Sequence, residues 1–580
     1  QRNTSGGTLT LDAGTRLKIG GDSTFPSNFS SHSLHSSSVV EYYGGSQNIA
    51  RLHSVAGYPS LVLSGTGIKT LGGNVAVANN LTVNSATGLT VASGQSLTVG
   101  NNLVNNGGTV LIENNANLMQ NAATTANTNT GEVMVKRDGS PLYRLDYTMW
   151  SAPTATTQTM AQFSPHTSLT RFYTYNPVTD FYETIPSSST FAAGHGYLIR
   201  MPNGDPAPGY VEGTTQITFH GAFTGKPNNG TYTRTLANLG AGYHPVGNPY
   251  PSTIEVAKFL AANENAIAGT IWIWRKKNND DSPNSAYITV NRAGIYVGNN
   301  EPNTSTNPNG IINTGQGFLV KLKSLAAPAS ISFTNAMRNA STSSQFYRMN
   351  GGQESPAESH GVWLNLTSES GKFSQMYSGY IDGATNGIDS DLDSEYINDA
   401  PTVLASVIDN KEFVIQGRAL PFSSSDVVRL LFKTDVAGDY KIAIDHVDGL
   451  FSGSQEVFLN DNLMGITHNL KETAYNFSTE TGSFDSRFEI VYNTTALSNE
   501  HPAITSDKVI VYQNDNSISI ASATATIKAI TVFDMQGRKI YSRQDVNASD
   551  AVVAGLTAKN QPLIITIQTV NGTVSKKIIF

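Results

Sequence analysis

The sequence predicts an all-β protein: an N-terminal parallel β-helix-like repeat region, then β-sandwich domains, then a small C-terminal β-sandwich. Three observations predict it. A triplet, Leu81-Thr82-Val83, Leu89-Thr90-Val91 and Leu97-Thr98-Val99, returns every eight residues. Beyond it, apolar and polar residues alternate in short runs bounded by Gly, Asn, Asp and Ser, the period of half-buried strands. Charged residues are only 14% of the chain, while Gly, Ser, Thr and Asn dominate, as in exported β-rich proteins rather than helical cytosolic enzymes.

Residues 1 to about 125 carry the repeat. Looser copies are Leu9-Thr10-Leu11, Leu17-Lys18-Ile19, Leu61-Val62-Leu63, Val75-Ala76-Val77 and Val110-Leu111-Ile112. A three-residue strand with two inward side chains cannot bury its face alone, so copies must stack. This pitch predicts three short strands per coil. Asn79, Asn80, Asn101, Asn102, Asn105 and Asn106 are expected at corners, where left-handed backbone and stacked amides are tolerated. Ordinary hairpins are the competing reading.

Residues 131 to about 345 read as a second β unit. Its strand candidates include Val133-Met134-Val135, Phe172 to Tyr175, Ile271 to Trp274 and Gly317 to Val320. One helix is expected from Ser252 to about Asn263, with Ser252 or Thr253 as N-cap. Gly194-His195-Gly196-Tyr197 and Gly315-Gln316-Gly317-Phe318 echo each other. They mark either a duplicated half-domain or two tight turns.

Residues 350 to about 495 read as a third unit, a sandwich of seven or eight strands. Asp389, Asp391, Asp393 and Glu395 alternate on one loop there and are the candidate ligands for a Ca²⁺ ion. The EF-hand pattern fails, because no Gly follows the third Asp and no Glu stands at the twelfth place. A solvated acidic loop is the other reading. Asp445, His446 and Asp448 are read as a strand end and turn before Gly449.

Residues 505 to 580 read as a terminal domain of four or five strands. These are Val509 to Tyr512, Ile518 to Ile520, Ile527 to Phe533, Leu563 to Thr569 and Val574 to Phe580, with a short return at Lys539-Ile540-Tyr541. A tight turn is expected at Asp534 to Arg538. The final residues are β-branched and aromatic, so that end is expected to be held by its own sheet or by a partner rather than frayed.

Phe533-Asp534-Met535-Gln536-Gly537-Arg538, with Lys576-Lys577-Ile578-Ile579, resembles the C-terminal sorting domains of type IX secretion cargo in Bacteroidota. The Pro-Asn-Pro turn and Gly-Ile-Tyr strand of the common type are replaced here by Tyr512-Gln513-Asn514 and Gln561-Pro562-Leu563-Ile564, which resembles the type C variant. The middle region, with Gly247-Asn248-Pro249-Tyr250-Pro251-Ser252, and the sandwich after it are similar to regions found upstream of such signals. The resemblance implies a protein secreted to the cell surface, adhesin-like or associated with gliding, and not an enzyme. It implies recognition by an outer-membrane shuttle barrel (PorV) and a translocon pore (SprA). Phe533, Asp534, Gly537, Arg538, Lys576, Lys577, Ile578, Ile579 and Phe580 are the residues it assigns to partner binding.

The remaining signals narrow the field. Net charge is −7, so no nucleic acid is courted. There is no cysteine, which excludes disulfides and thiol chemistry. Gln1 in place of Met is expected to reflect a processed leader. No Gly-x-Ser-x-Gly or His-Glu-x-x-His motif occurs, and Gly221 to Lys226 is one residue short of a phosphate loop. No catalytic residue and no cofactor is assigned, Ca²⁺ apart. Two alternatives stand: a surface protein that binds or cleaves polysaccharide, with Tyr42-Tyr43, Phe172, Tyr173, Tyr175, Phe181-Tyr182, Trp272 and Trp274 stacking on sugars, or a Ca²⁺-dependent adhesin.

Overall fold

The Leu-x-Val triplets build a three-faced solenoid. Strands Arg16–Ile19, Val39–Tyr42, Ser60–Leu63, Leu81–Asn84 and Leu103–Asn106 stack in parallel on one face. Gln47–Ile49, Ile68–Leu71, Gly88–Val91 and Thr109–Ile112 form the second, and Val75–Val77, Ser96–Val99 and Asn117–Gln120 the third. The period-2 alternation of a strand sends both apolar residues of each triplet inward. Leu81, Val83, Leu89, Val91, Leu97 and Val99 are accordingly buried, and Thr82, Thr90 and Thr98 face outward. Each such side chain contributes roughly 1.5–3 kcal/mol by leaving water, but only once its neighbours are in place.

The corners differ from expectation. Asn106 Nδ2 donates to Asn84 Oδ1 at 3.1 Å, and Asn102 N–H to Asn80 Oδ1 at 3.1 Å, so amides do bridge coils. The left-handed positions, however, are Ala86 and Asn115 together with glycines, and none of the six asparagines. Hydrogen bonding between coils, not backbone conformation, places those amides.

The computed structural model describes residues 5–52, 56–203, 214–275, 287–298, 310–341, 358–397, 400–493, 508–522, 525–558, 560–570 and 572–580. His53, most of the boundary expected at 351–358, most of the linker at 493–506 and Asn571 of the last hairpin lie outside the described residues. The strands fall into two compact units. One holds the solenoid and most of the middle region, and the other holds residues 287–289, 295–298 and 358–580 among those described.

In the first unit the second solenoid face does not stop at its last coil. Thr109–Ile112 pairs in parallel with Val133–Asp138, which pairs antiparallel with His220–Pro227. The middle region is an internal duplication. In its first half Tyr147–Trp150 pairs with Tyr197–Arg200, and in its second Tyr243–Gly247 pairs with Gly317–Leu322. Register matches: Tyr147 faces Arg200 as Tyr243 faces Lys321, and Trp150 faces Tyr197 as Val246 faces Phe318. A short helix follows each first strand, Met160–Phe163 and Val256–Ala262. The halves exchange equivalent bonds, Ser151 N–H to Gly315 O at 2.9 Å and Gly247 N–H to Gly194 O at 3.2 Å. Gly196 and Gly317 permit this approach. A Cβ on Gly317 would stand 3.1 Å from Gly196 Cα, and one on Gly196 would stand 2.6 Å from Val246 O. Of the two readings of the Gly-x-Gly-aromatic echo, duplication is the one realised.

The expected helix at Ser252 begins four residues later. Thr253–Glu255 is a strand that pairs with Ile311–Ile312 and Arg338–Asn339, so the Thr253 hydroxyl donates to Asn339 O at 2.7 Å instead of capping. Sheet pairing overrides the local helix signal. Sequence reading missed the one-turn helix Met160–Phe163, although Thr159 and Gln162 form a capping box there.

The second unit begins with eleven strands in one continuous sheet, running from Ile466–Asn469 at one edge to Tyr475–Thr479 at the other. Strands distant along that path share one core, containing Val362, Leu364, Tyr380, Leu430, Phe477 and Phe488, so the sheet curls back on itself. The expected pair of separate sheets is thus a single curled one.

Candidate partner-binding face

Residues 508–580 fold as a sandwich of seven strands. Val509–Asn514, Ser517–Ser522 and Asp550–Ala554 form one sheet, and Lys539–Ala548, Ile527–Asp534, Pro562–Thr569 and Gly572–Ile579 the other. Asp550–Ala554 is a strand the sequence reading missed, because five residues give too short an alternation to stand out. Ile518, Ile530, Val532, Val553, Leu563, Ile565 and Ile567 fill the core at or near zero exposure.

Inward and outward positions divide the nine residues assigned to partner binding. Phe580 is 5% exposed, belongs to the core, and exchanges backbone bonds with Gln561 at 3.0 and 3.1 Å. Ile578 is half-buried against the same core. Asp534 and Gly537 build the hairpin turn. The buried Asp534 carboxylate accepts from Gln536 N–H at 2.9 Å, Arg538 N–H at 3.0 Å and Arg538 Nε at 2.8 Å. Gly537 sits at φ 78°, where a side chain would be strained. The Arg538 bond holds the Asp534 carboxyl below its usual range, aided by the two turn amides. Asp534 and Gly537 therefore shape the turn.

Phe533, Lys577 and Ile579 meet on the outer face of the four-stranded sheet. Phe533 lies opposite Ile564, which lies opposite Lys577, and Pro562 lies opposite Ile579. Ile579 is 69% exposed, and Ile564 and Met535 are also exposed. Lys539 faces Phe533 from the other side, and the exposed Arg538 guanidinium stands at the turn beside it. The result is an apolar strip, Phe533, Ile564 and Ile579, with cations at its rim. Among the described residues, Gly572–Ile579 pairs on one side only, with Pro562–Thr569. A one-sided strand of eight residues beside exposed apolar side chains is a template for pairing with another chain. Ile564 and Lys539 were not singled out from sequence. The period-2 rule marks Ile564, since it alternates with the buried Leu563 and Ile565.

Lys576 points the other way, toward Glu480, with Nζ to Oε1 at 3.9 Å. There an open cleft of about 470 Å³ is lined by Asn462, Glu480, Arg487, Lys508, Ile510 and Lys576, among others.

The acidic loop does not assemble a cation site. Asp389 accepts from Thr385 Oγ1 at 3.0 Å, and Asp393 turns inward to accept from Asp389 N–H at 2.6 Å and Gly417 N–H at 2.8 Å. Burial pushes the Asp393 carboxyl up to about 7. Glu395 lies 4.0 Å from Lys411. Neither these four carboxylates, Asp391 included, nor any other group of three His, Cys, Asp or Glu is placed to hold a metal ion among the described residues.

His446 Nδ1 lies 2.7 Å from Asp445 Oδ2, and its ring stacks on Trp363 at 4.0 Å; both sit among the last residues of the strand Gly438–Val447, at the expected strand end. Asp448 is the turn residue, accepting from Gly361 N–H. Of the aromatics offered for sugar stacking, Tyr42, Phe172, Tyr175, Trp272 and Trp274 are core, whereas Tyr43 and Phe181 are exposed.

Comparison with known families covers nearly all of the chain. Residues 63–492 match the family described as "Domain of unknown function (DUF8693)". Residues 497–580 match a second, "Domain of unknown function (DUF8694)", whose span contains the terminal sandwich. No curated protein matches the chain.

Proposed function

This chain belongs to the DUF8693 family, and we propose that it is a non-enzymatic, adhesin-like or gliding-associated surface protein, exported by a type IX secretion system that reads its terminal sandwich. The solenoid and the curled sheet each serve as a scaffold. The terminal sandwich is the address, recognised by the shuttle barrel PorV and passed through the pore SprA. One observation carries the reading. Three of the residues assigned by motif, Phe533, Lys577 and Ile579, gather on one outer face beside a strand that, among the described residues, is paired on one side only. Folded domains seldom leave a strip of large apolar residues open at a sheet edge unless something docks there.

The test is export in a host with a working type IX system. The full chain should reach the cell surface, and the chain lacking residues 497–580 should accumulate in the periplasm. Equal surface display of the two forms would refute the proposal.

A further inference from the structure

We infer that Glu480 and Asp439 form a releasable clasp that keeps a second face of the terminal sandwich covered. Both carboxylates belong to the curled sheet, and both reach the strand Val509–Asn514. Glu480 Oε1 accepts the Val511 N–H at 3.1 Å. Asp439 Oδ1 accepts the Tyr512 hydroxyl at 3.1 Å and is held in place by Ser478 Oγ at 2.6 Å. Lys508 Nζ donates to Asn462 O at 2.6 Å, and Lys576 stands 3.9 Å from Glu480.

What the clasp covers is specific. Among the described residues Val509–Asn514 pairs on one side only, with Ser517–Ser522, so the Val511 N–H that Glu480 takes is an edge donor. A free edge donor invites pairing with another chain. Val509 and Val511 point into the core of the terminal sandwich. Alternation therefore sends Ile510 and Tyr512 to the opposite face, where they are 5% and 6% exposed and belong to no core of that sandwich. Release would expose an apolar pair and an unquenched edge together.

The junction's hydrogen bonds lie around the buried Ile510 and Tyr512 side chains, and an open cleft of about 470 Å³ lies between Ile510 and Lys576 on one side and Arg487 and Asn462 on the other. Contacts of this kind are weakened by salt and replaced by water at little cost, whereas a packed apolar seam is not. The clasp is thus a two-state element: closed, it hides the Ile510–Tyr512 face; open, it adds that face to the one already exposed at Ile579.

Hydrogen exchange on the full chain tests it. In the Glu480→Ala, Asp439→Ala double variant, exchange across residues 509–513 should accelerate at least tenfold. Peptides from Leu563–Thr569 and Gly482–Val491 should match wild type. Glu480→Gln, which keeps an acceptor for Val511, should retain most of the protection. Unchanged exchange at 509–513 in the double variant would overturn the clasp, as would acceleration spreading through both neighbouring folds. Because the chain has no cysteine, dyes on the single cysteines of Ser454→Cys and Thr573→Cys give a second readout. Their distance distribution should broaden in the double variant, and an unchanged distribution would contradict release.

Discussion

The solenoid and the terminal sandwich handle sheet edges in opposite ways. The last coil of the solenoid is covered on every face. Leu103 N–H is taken by Asn129 Oδ1 at 2.9 Å, Thr109–Ile112 continues into Val133–Asp138, and Leu118 N–H donates to Pro251 O at 2.8 Å. Arg338 completes the cover. Buried over the Tyr250 ring at 4.8 Å, it donates to Leu118 O, to Ser252 Oγ at 2.9 Å and to Asn335 Oδ1 at 3.2 Å. In the terminal sandwich, by contrast, Gly572–Ile579 has no second pairing strand among the described residues, and Ile579 is 69% exposed. One chain thus spends a dedicated motif on sealing one edge and leaves another open. An edge left open in a protein able to seal edges is what the proposed docking at the terminal sandwich requires.

The sealed edge offers the largest effect. Arg338→Ala removes the charged donor to Leu118 O, Ser252 Oγ and Asn335 Oδ1 and leaves a void in the interior, so it should cost on the order of 3 kcal/mol. Urea unfolding followed by tryptophan fluorescence would register it, since Trp150, Trp272 and Trp274 report on that unit. If the variant unfolds like wild type, the cover is ornamental and the comparison fails.

Within the terminal sandwich, Ile565→Ala should lose about 2–4 kcal/mol through the cavity it leaves in the core. Ile579→Ser should lie within about 0.5 kcal/mol of wild type, because its side chain is already in solvent. Thermal melts of the two variants would separate core from docking residue. A large loss at Ile579 would mean that the position is structural after all.

Two carboxylates give opposite pH signs. Asp393 is raised from 3.8 to about 7 by burial, so the folded state binds a proton that the unfolded state releases. Stability of the curled sheet should therefore fall as pH rises from about 4 to about 7, and Asp393→Asn should flatten that slope. Asp534 is depressed by Arg538 and the turn amides. Its contribution is present above the unfolded value and lost as pH falls through the folded one. Asp534→Asn should therefore remove a small part of the acid sensitivity, below about pH 4. Urea midpoints measured across pH would read both, and a reversed slope at either would refute the assigned cause.

Legibility followed periodicity. Solenoid triplets were readable because Leu and Val recur at a fixed pitch with both side chains inward. The turn at Asp534 to Arg538 was readable because its residue types are those the geometry demands. The helix start at Ser252 misled, because Thr253 to Glu255 answers to strands at Ile311 and Arg338, far along the chain. Non-local pairing of that kind leaves no local mark. The role of Gly247 to Ser252 was hidden for the same reason: Asn248 Nδ2 donates to Ser252 O at 2.8 Å and to Asn313 O at 3.0 Å, and Pro251 caps a strand more than a hundred residues earlier. In the terminal domain, motif resemblance named nine residues but not their directions. Only strand register separates Ile579, turned outward, from Phe580, turned in.

Surface display of an Ile564→Asp, Ile579→Asp double variant of the full chain is the most direct measurement. Both side chains are exposed, so the terminal sandwich should still fold, which exchange protection across Leu563–Thr569 would verify. With the fold intact, the variant should be retained in the periplasm while wild type reaches the surface. A folded variant displayed at the wild-type level would show that this face is not what the export machinery reads.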